Sequence, residues 1–228
     1  MRLNGVKMAN IKISDLYDLS HTSAADHLSK YTYPWEALAD IQDIILEIGS
    51  RLDPELYEKR GEDIWISKSA KIYPNNYIAG PCIIGHKTEV RPGAYIRGSV
   101  IIGDGAVVGN STEIKNAIIF NGVQLPHYNY VGDSIIGYKA HMGAGAITSN
   151  VKSDKSRISV RSGTDTLATG CRKFGAAIGD HAEIGCNTVL NPGTVIGRHA
   201  TVYPLSSVRG YVPQGSIYKA KNEVIKKR

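Results

Sequence analysis

His127 follows Pro126 and is flanked by Tyr128 and, three residues on, Tyr130. An imidazole with an ordinary pKa near 6.5 can take a proton at neutral pH, which suits a general base. Three long cations precede it: Arg91, Arg97 and Lys115. Arg91 can grip a phosphate through two parallel hydrogen bonds and Lys115 can act as a point charge, so both suit binding rather than catalysis. The run Gly143-Ala144-Gly145 offers backbone N–H groups to a developing oxyanion. His181 and His199 are 18 apart and raise a metal reading, but two histidines are half of a zinc site. Cys82, Cys171 and Cys186 are too few and too widely spaced for a disulfide framework or a CxxC knuckle, so free thiols are expected.

The elements that would position these residues follow from a repeat. Stepping by six from Ile66, the chain reads Ile72, Ile78, Ile84, Val90, Ile96, Ile102, Val108, Ile114 and Phe120. A second series runs Tyr130, Ile136 and Met142, and a third Ile178, Ile184, Leu190, Ile196, Val202 and Val208. Four positions after each large apolar residue stands a small or β-branched one, such as Thr88, Ala94, Val100, Ala106 and Thr112. Short strands joined at corners explain both, and three strands make an 18-residue coil whose backbone bonds to the next coil. Glycine often follows the apolar residue, as at Gly85, Gly103, Gly109, Gly143 and Gly197, where a corner needs close backbone approach or an unusual φ. The expected fold is an all-β solenoid, a parallel β-helix of about six coils over 63–218. An amphipathic helix over Pro34 to Leu52 is expected to cap the first coil. It belongs to an extension spanning 1–62, whose first 33 residues show no periodicity, and 219–228 form a basic tail.

Function is sought where the repeat breaks. The register slips by four between Phe120 and Tyr130, around His127, and the pattern fades across a basic stretch from Ala146 to Lys173. Corner glycines give way to Arg91, Arg97 and Lys115. Arg97 and Lys115 are 18 apart and should stack in one column, while Arg91 and His127 are 36 apart, or two coils. A cluster of cations and an imidazole at neighbouring corners is expected.

Composition narrows the partners. Net charge is +6, but Lys221, Lys226, Lys227 and Arg228 supply four of those charges in a short tail. A mild positive field suits a phosphorylated small molecule, and the aromatic and basic interleaving of a nucleic-acid platform is not evident. No apolar run approaches a membrane span and no signal-peptide core opens the chain, so a soluble cytoplasmic protein without nucleic-acid or membrane partners is expected.

Several ordered motifs carry a resemblance: Val90-Arg91-Pro92-Gly93-Ala94, Gly109-Asn110-Ser111-Thr112-Glu113-Ile114-Lys115, His127 to Asp133, Met142 to Gly145 and Thr148-Ser149-Asn150, then Arg172-Lys173-Phe174-Gly175-Ala176 and Asn191-Pro192-Gly193-Thr194. Over about 63–218 the chain resembles the left-handed β-helix acetyltransferase domain of bifunctional sugar-1-phosphate nucleotidylyltransferases, in its archaeal-type branch. The resemblance implies transfer of an acetyl group from acetyl-CoA to an amino-sugar phosphate akin to glucosamine 1-phosphate, or to a nucleotide-sugar precursor. It implies His127 as the catalytic base and Arg91, Lys115, Tyr130, His141 and Asn150 on the acceptor side. Gly143, Ala144 and Cys186 become candidates to line the acetyl-CoA groove, no metal is implied, and the assembly is a homotrimer with sites between subunits. His141 stands where many members have asparagine, and lysines expected near Ser156 and Ser159 fall instead at Lys152 and Lys155. With some 62 residues before the repeat, no nucleotidylyltransferase domain is expected in this chain. Two other functions fit the same residues: a non-catalytic trimeric scaffold that binds sugar phosphate, and a β-helical carbonic anhydrase with zinc on His181 and His199.

Overall fold

A strand of two or three residues can bury its apolar side chain only if another coil stacks above and below it, so the hexad pattern commits the chain to a solenoid. The computed structural model describes residues 10–220 and 223–227. They form the parallel β-helix that the repeat predicts, with three sheet faces. The inward column of the first face is Ile66, Ile84, Ile102, Ile119, Ile136, Ile178, Ile196 and Val212. That of the second is Ile72, Val90, Val108, Leu125, Met142, Ile184, Val202 and Tyr218. The third holds Ile78, Ile96, Ile114, Val131, Thr148, Leu190 and Val208. Among the described residues, eight rungs on two faces and seven on the third roughly match the coil count expected from the repeat. From Ile84 onward every member of the three columns is buried.

The register slip is resolved differently from the even six-residue walk. Two sides of the prism shorten to five residues, Ile114 to Ile119 and Val131 to Ile136, and the coils that contain them pair 17 apart. The inward places expected for Phe120 and Tyr130 therefore belong to Ile119 and Val131. Phe120 is still fully buried, but against Tyr17, with ring centroids 5.1 Å apart. The basic break is shorter than the faded pattern suggested. Ile147 and Thr148 still pair with Val189 and Leu190. Ile178 pairs with Ile136, 42 positions on instead of 18, so 24 residues are inserted after that strand. The insertion folds as an antiparallel hairpin, Ser159–Ser162 with Asp165–Ala168.

The helix expected over Pro34 to Leu52 is split at Asp40 into a 3-10 turn, Pro34–Ala39, and an α-helix, Ile41–Gly49. It does not sit over the end of the prism. The α-helix lies against strands Cys82–Ile84, Val100–Ile102 and Glu113–Ile119, and the 3-10 turn against Tyr130–Ile136. The cause is a fourth apolar column that points out of the first face: Ile83, Ile101, Ile118, Ile135, Ala177 and Val195, all at most 2% exposed. Left bare it would be a large apolar patch, and residues 10–49 cover it as a lateral wrap. Tyr17 donates to Ile135 O at 3.2 Å, Asp180 N–H donates to Leu16 O at 3.0 Å, and Asp180 accepts from Asp18 N–H at 2.7 Å. Two antiparallel strands cover open edges instead of the helix: Tyr57–Lys59 beside Ile64–Ser67, and Glu223–Lys226 beside Ser216–Ala220.

Candidate active site

The corner between the second and third faces is built alike in successive coils. The residue after the inward apolar one lies close under the next coil, and two residues later the chain takes a left-handed conformation, as at Gly93, Ser111, Tyr128, Gly145 and Asn187. Gly109 is required here, since an added Cβ would fall 1.6 Å from Pro126 O. Tyr128 holds φ +52 and is 64% exposed, a strained state for a bulky residue that the surroundings must enforce. Buried Asn129 does so: its Oδ1 accepts the His127 N–H at 3.2 Å and its Nδ2 donates to Gly143 O at 2.8 Å and Ala146 O at 3.1 Å. His127 is thus exposed on a pinned main chain. The register places Ala144 and then Cys186 below it in the following coils. Gly143 packs so closely on Cys186 that an added Cβ would be 2.8 Å from the Cys186 N. Cys186 is exposed.

The corner between the third and first faces collects the polar residues. Asn116 and Asp133 take left-handed conformations at the two shortened sides, with φ +45 and +48. Asp133 is 5% exposed, and its carboxylate accepts from Lys115 Nζ at 3.1 Å, from Asn116 Nδ2 at 3.0 Å and from Asn150 Nδ2. A buried carboxylate so surrounded is satisfied and orients the ammonium. Arg97 precedes Lys115 by one coil in the same column and pairs with Glu113 at 2.6 Å. That bond holds its guanidinium pKa above the usual value. The Tyr130 hydroxyl leans over Gly132, where an added Cβ would meet it at 2.6 Å. Burial first, then the charges of Asp133 and Glu113, push the phenol pKa up, while Asn150 and Arg97 oppose the shift.

The outward row of the third face, Tyr77, Tyr95, Glu113 and Tyr130, runs between these corners. His127 therefore borders one edge of the face and Arg97, Lys115 and Asn150 the other. Five residues separate His127 from Gly132, the partner of Lys115, so at ~3.3 Å per residue the edges are at most roughly 16 Å apart. The expected single cluster is two groups that flank one surface. Arg91 belongs to the His127 corner, two coils away, with its guanidinium 3.3 Å from Glu89. His141 stands on the outer second face, 2.9 Å from Glu183. Glu113 and Asp133 carry this geometry and were not singled out from the sequence. The 18-residue spacing from Lys115 pointed to Arg97, but phosphate binding was assigned to Arg91.

The remaining corner holds the histidine pair of the metal reading. The His181 and His199 rings stack at 4.8 Å, nearly parallel at 4°, with Tyr138 edge-on to His181. Stacked faces leave no shared lone-pair direction for an ion. Among the described residues no group of three or more His, Cys, Asp or Glu side chains is placed to hold a metal, and no helix is long and apolar enough to cross a membrane.

Residues 78–163, which include His127, Arg97, Lys115, Asp133 and Asn150, match the GMPPB C-terminal domain family. A bifunctional sugar-1-phosphate nucleotidylyltransferase/acetyltransferase of Sulfurisphaera tokodaii is 37% identical over 112 residues, 49% of this chain and 28% of that protein. The bifunctional protein GlmU of Methanococcus vannielii is 38% identical over 53% of this chain and 29% of its own length. The chain thus matches under a third of these longer proteins. The uncharacterized acetyltransferase YaiX of Escherichia coli O6:K15:H31 differs in scale: it is 30% identical over 174 residues, 76% of this chain and 75% of its own length. The chain belongs to this acetyltransferase family. Residues 78–163 hold the third face from Ile78 to Thr148, with His127, Arg97 and Lys115 at its edges.

Proposed function

We propose that this chain is an acetyl-CoA-dependent N-acetyltransferase whose acceptor is an amino-sugar phosphate bound on the third face. The observation that carries the reading is the pairing of a proton acceptor, His127, with an anion grip, Arg97 and Lys115, on opposite edges of one surface. Arg97 and Lys115 hold the phosphate, Tyr130 and Asn150 line the sugar, and the amine lies toward His127. Arg91, at the His127 corner two coils earlier, has no part in the phosphate grip.

Bound acetyl-CoA supplies a thioester carbonyl open to attack by an amine. His127 takes the proton that the acceptor nitrogen loses as the C–N bond forms, and returns it to the departing sulfur as the C–S bond breaks. An oxyanion donor is available at Ala144. The Gly143 and Gly145 N–H groups are spent on Ile184 O at 2.7 Å and His127 O at 3.1 Å, whereas the Ala144 N–H has no acceptor among the described residues. Exposed Cys186 and close-packed Gly143 leave the corner below His127 open to a pantetheine arm. A homotrimer in left-handed winding, with the groove shared between neighbours, completes the proposal.

The test is direct. Purified protein is incubated with acetyl-CoA and a panel of amino-sugar phosphates, monophosphates and nucleoside diphosphate-linked forms alike, while free thiol is measured. Thiol release that depends on one amino-sugar phosphate supports the reading, and release from none of them refutes it.

A further inference from the structure

Acetyl transfer to a sugar monophosphate leaves part of the third face unused. The outward row opens with Tyr77 and Tyr95, 58% and 43% exposed, their ring centroids 5.2 Å apart and tilted by 60°. Among the described residues the N-terminal wrap covers the first face and leaves this pair bare. The Arg97 guanidinium stands 5.8 Å from the Tyr95 ring centroid. Lys115 lies one coil further on, then Tyr130. The row from Tyr77 to Tyr130 spans three coil steps, roughly 14 Å at ~4.8 Å per step. A hexose phosphate between Lys115 and His127 occupies only its second half.

Bare aromatic rings beside cations favour a flat π-system that carries its own negative charge. We propose that the acceptor is a nucleoside diphosphate amino sugar: the base stacks on Tyr77 and Tyr95, the diphosphate lies over Arg97 and Lys115, and the sugar runs past Tyr130 toward His127. The assignment rests on the acetyltransferase reading of the face and adds the nucleotide to it. Both cations already have a carboxylate partner. Arg97 uses one of five N–H donors on Glu113, and Lys115 one of three on Asp133. Asp133 is buried and held by Asn116 and Asn150, so it stays and aims the ammonium outward. Glu113 lies on the row itself and is the carboxylate that a diphosphate displaces.

Calorimetric titration of the whole chain with uridine, thymidine and guanosine diphosphates, and with pyrophosphate as the probe lacking a base, tests the proposal. At least one nucleoside diphosphate is expected to bind about tenfold or more tightly than pyrophosphate, since stacking on an aromatic side chain commonly supplies that much. Tyr95→Ala abolishes the preference and Tyr95→Phe, which keeps the π-face and the packing, retains it. Pyrophosphate binding as tightly as every nucleoside diphosphate overturns the proposal, as does a preference untouched by both Tyr77→Ala and Tyr95→Ala. A fall in oligomer mass on Tyr95→Ala, in a protein whose wild type shows no base preference, assigns the rings to a contact between copies and also overturns it. Acetyl transfer to a sugar 1-phosphate without any base preference sinks the nucleotide assignment alone. A base preference without thiol release supports the platform and refutes the acetyltransferase reading instead.

Discussion

Arg97→Ala and Arg91→Ala separate the two corners. A charge-assisted hydrogen bond to a ligand phosphate is commonly reflected in a roughly 10- to 100-fold change in affinity. Two features of the structure set the value for Arg97 at the lower end. Its side chain is 43% exposed, so water screens the contact, and Glu113 at 2.6 Å competes for the same guanidinium before the acceptor arrives. The expected outcome for Arg97→Ala is therefore an acceptor KM raised about tenfold with kcat within about threefold of wild type, the pattern of lost uniform binding. Arg91→Ala removes a cation from the other corner, where it faces Glu89, and acceptor KM stays within about twofold. Steady-state thiol release at saturating acetyl-CoA measures both. A larger KM effect for Arg91→Ala than for Arg97→Ala refutes the assignment of the phosphate to the corner of Lys115.

Other outcomes follow from packing and titration. Gly109→Ala sets a Cβ 1.6 Å from Pro126 O, a main-chain atom that cannot yield, so a loss of about 3 kcal/mol or failure to fold is expected. Gly105→Ala, at φ +62 in open space, loses about 1 kcal/mol; equal urea midpoints for the two variants would contradict the corner geometry. Ile118→Ala empties a fully buried site between coil and wrap and should lose 2–5 kcal/mol, about as much as Ile119→Ala, whereas a surface-like loss under about 0.5 kcal/mol places the wrap elsewhere. Burial, then the charges of His181, Arg198 and Lys227, lower the His199 pKa below 6.5 against the opposing pull of Asp180. The folded state thus disfavours the charged imidazole, so its stabilisation is present above about pH 6.5 and is lost as pH falls below it. Urea midpoints that decline between pH 7.5 and 5 in wild type should decline less in His199→Gln, and identical slopes would exclude His199 as a cause.

The solenoid was legible because period six fixes which side chains point inward, and the inward columns hold Ile, Val and Leu almost without exception. The even step failed at Phe120 and Tyr130. A constant walk cannot register a five-residue side when the residue one place on is also large and apolar or aromatic. The position of the wrap had a visible signal that the walk passed over. In Cys82-Ile83-Ile84, Val100-Ile101-Ile102 and Ala117-Ile118-Ile119 the middle residue faces outward and is apolar, so this face had to be covered along its length. Coil arithmetic alone put Arg97 beside Lys115, yet Arg91 took the phosphate in the reading by motif. Asp133 was harder to see: its role depends on Asn116 and Asn150 converging from other coils, and that convergence follows from the two shortened sides, which set these residues 17 apart.

The most direct test is the turnover of His127→Ala. The side chain is exposed and its main chain is held by Asn129, so the variant should fold with an unchanged denaturation midpoint. Removal of a general base predicts a fall in kcat of about 10²- to 10⁴-fold with acceptor KM little altered. A folded His127→Ala protein that releases thiol from acetyl-CoA at the wild-type rate would contradict the account.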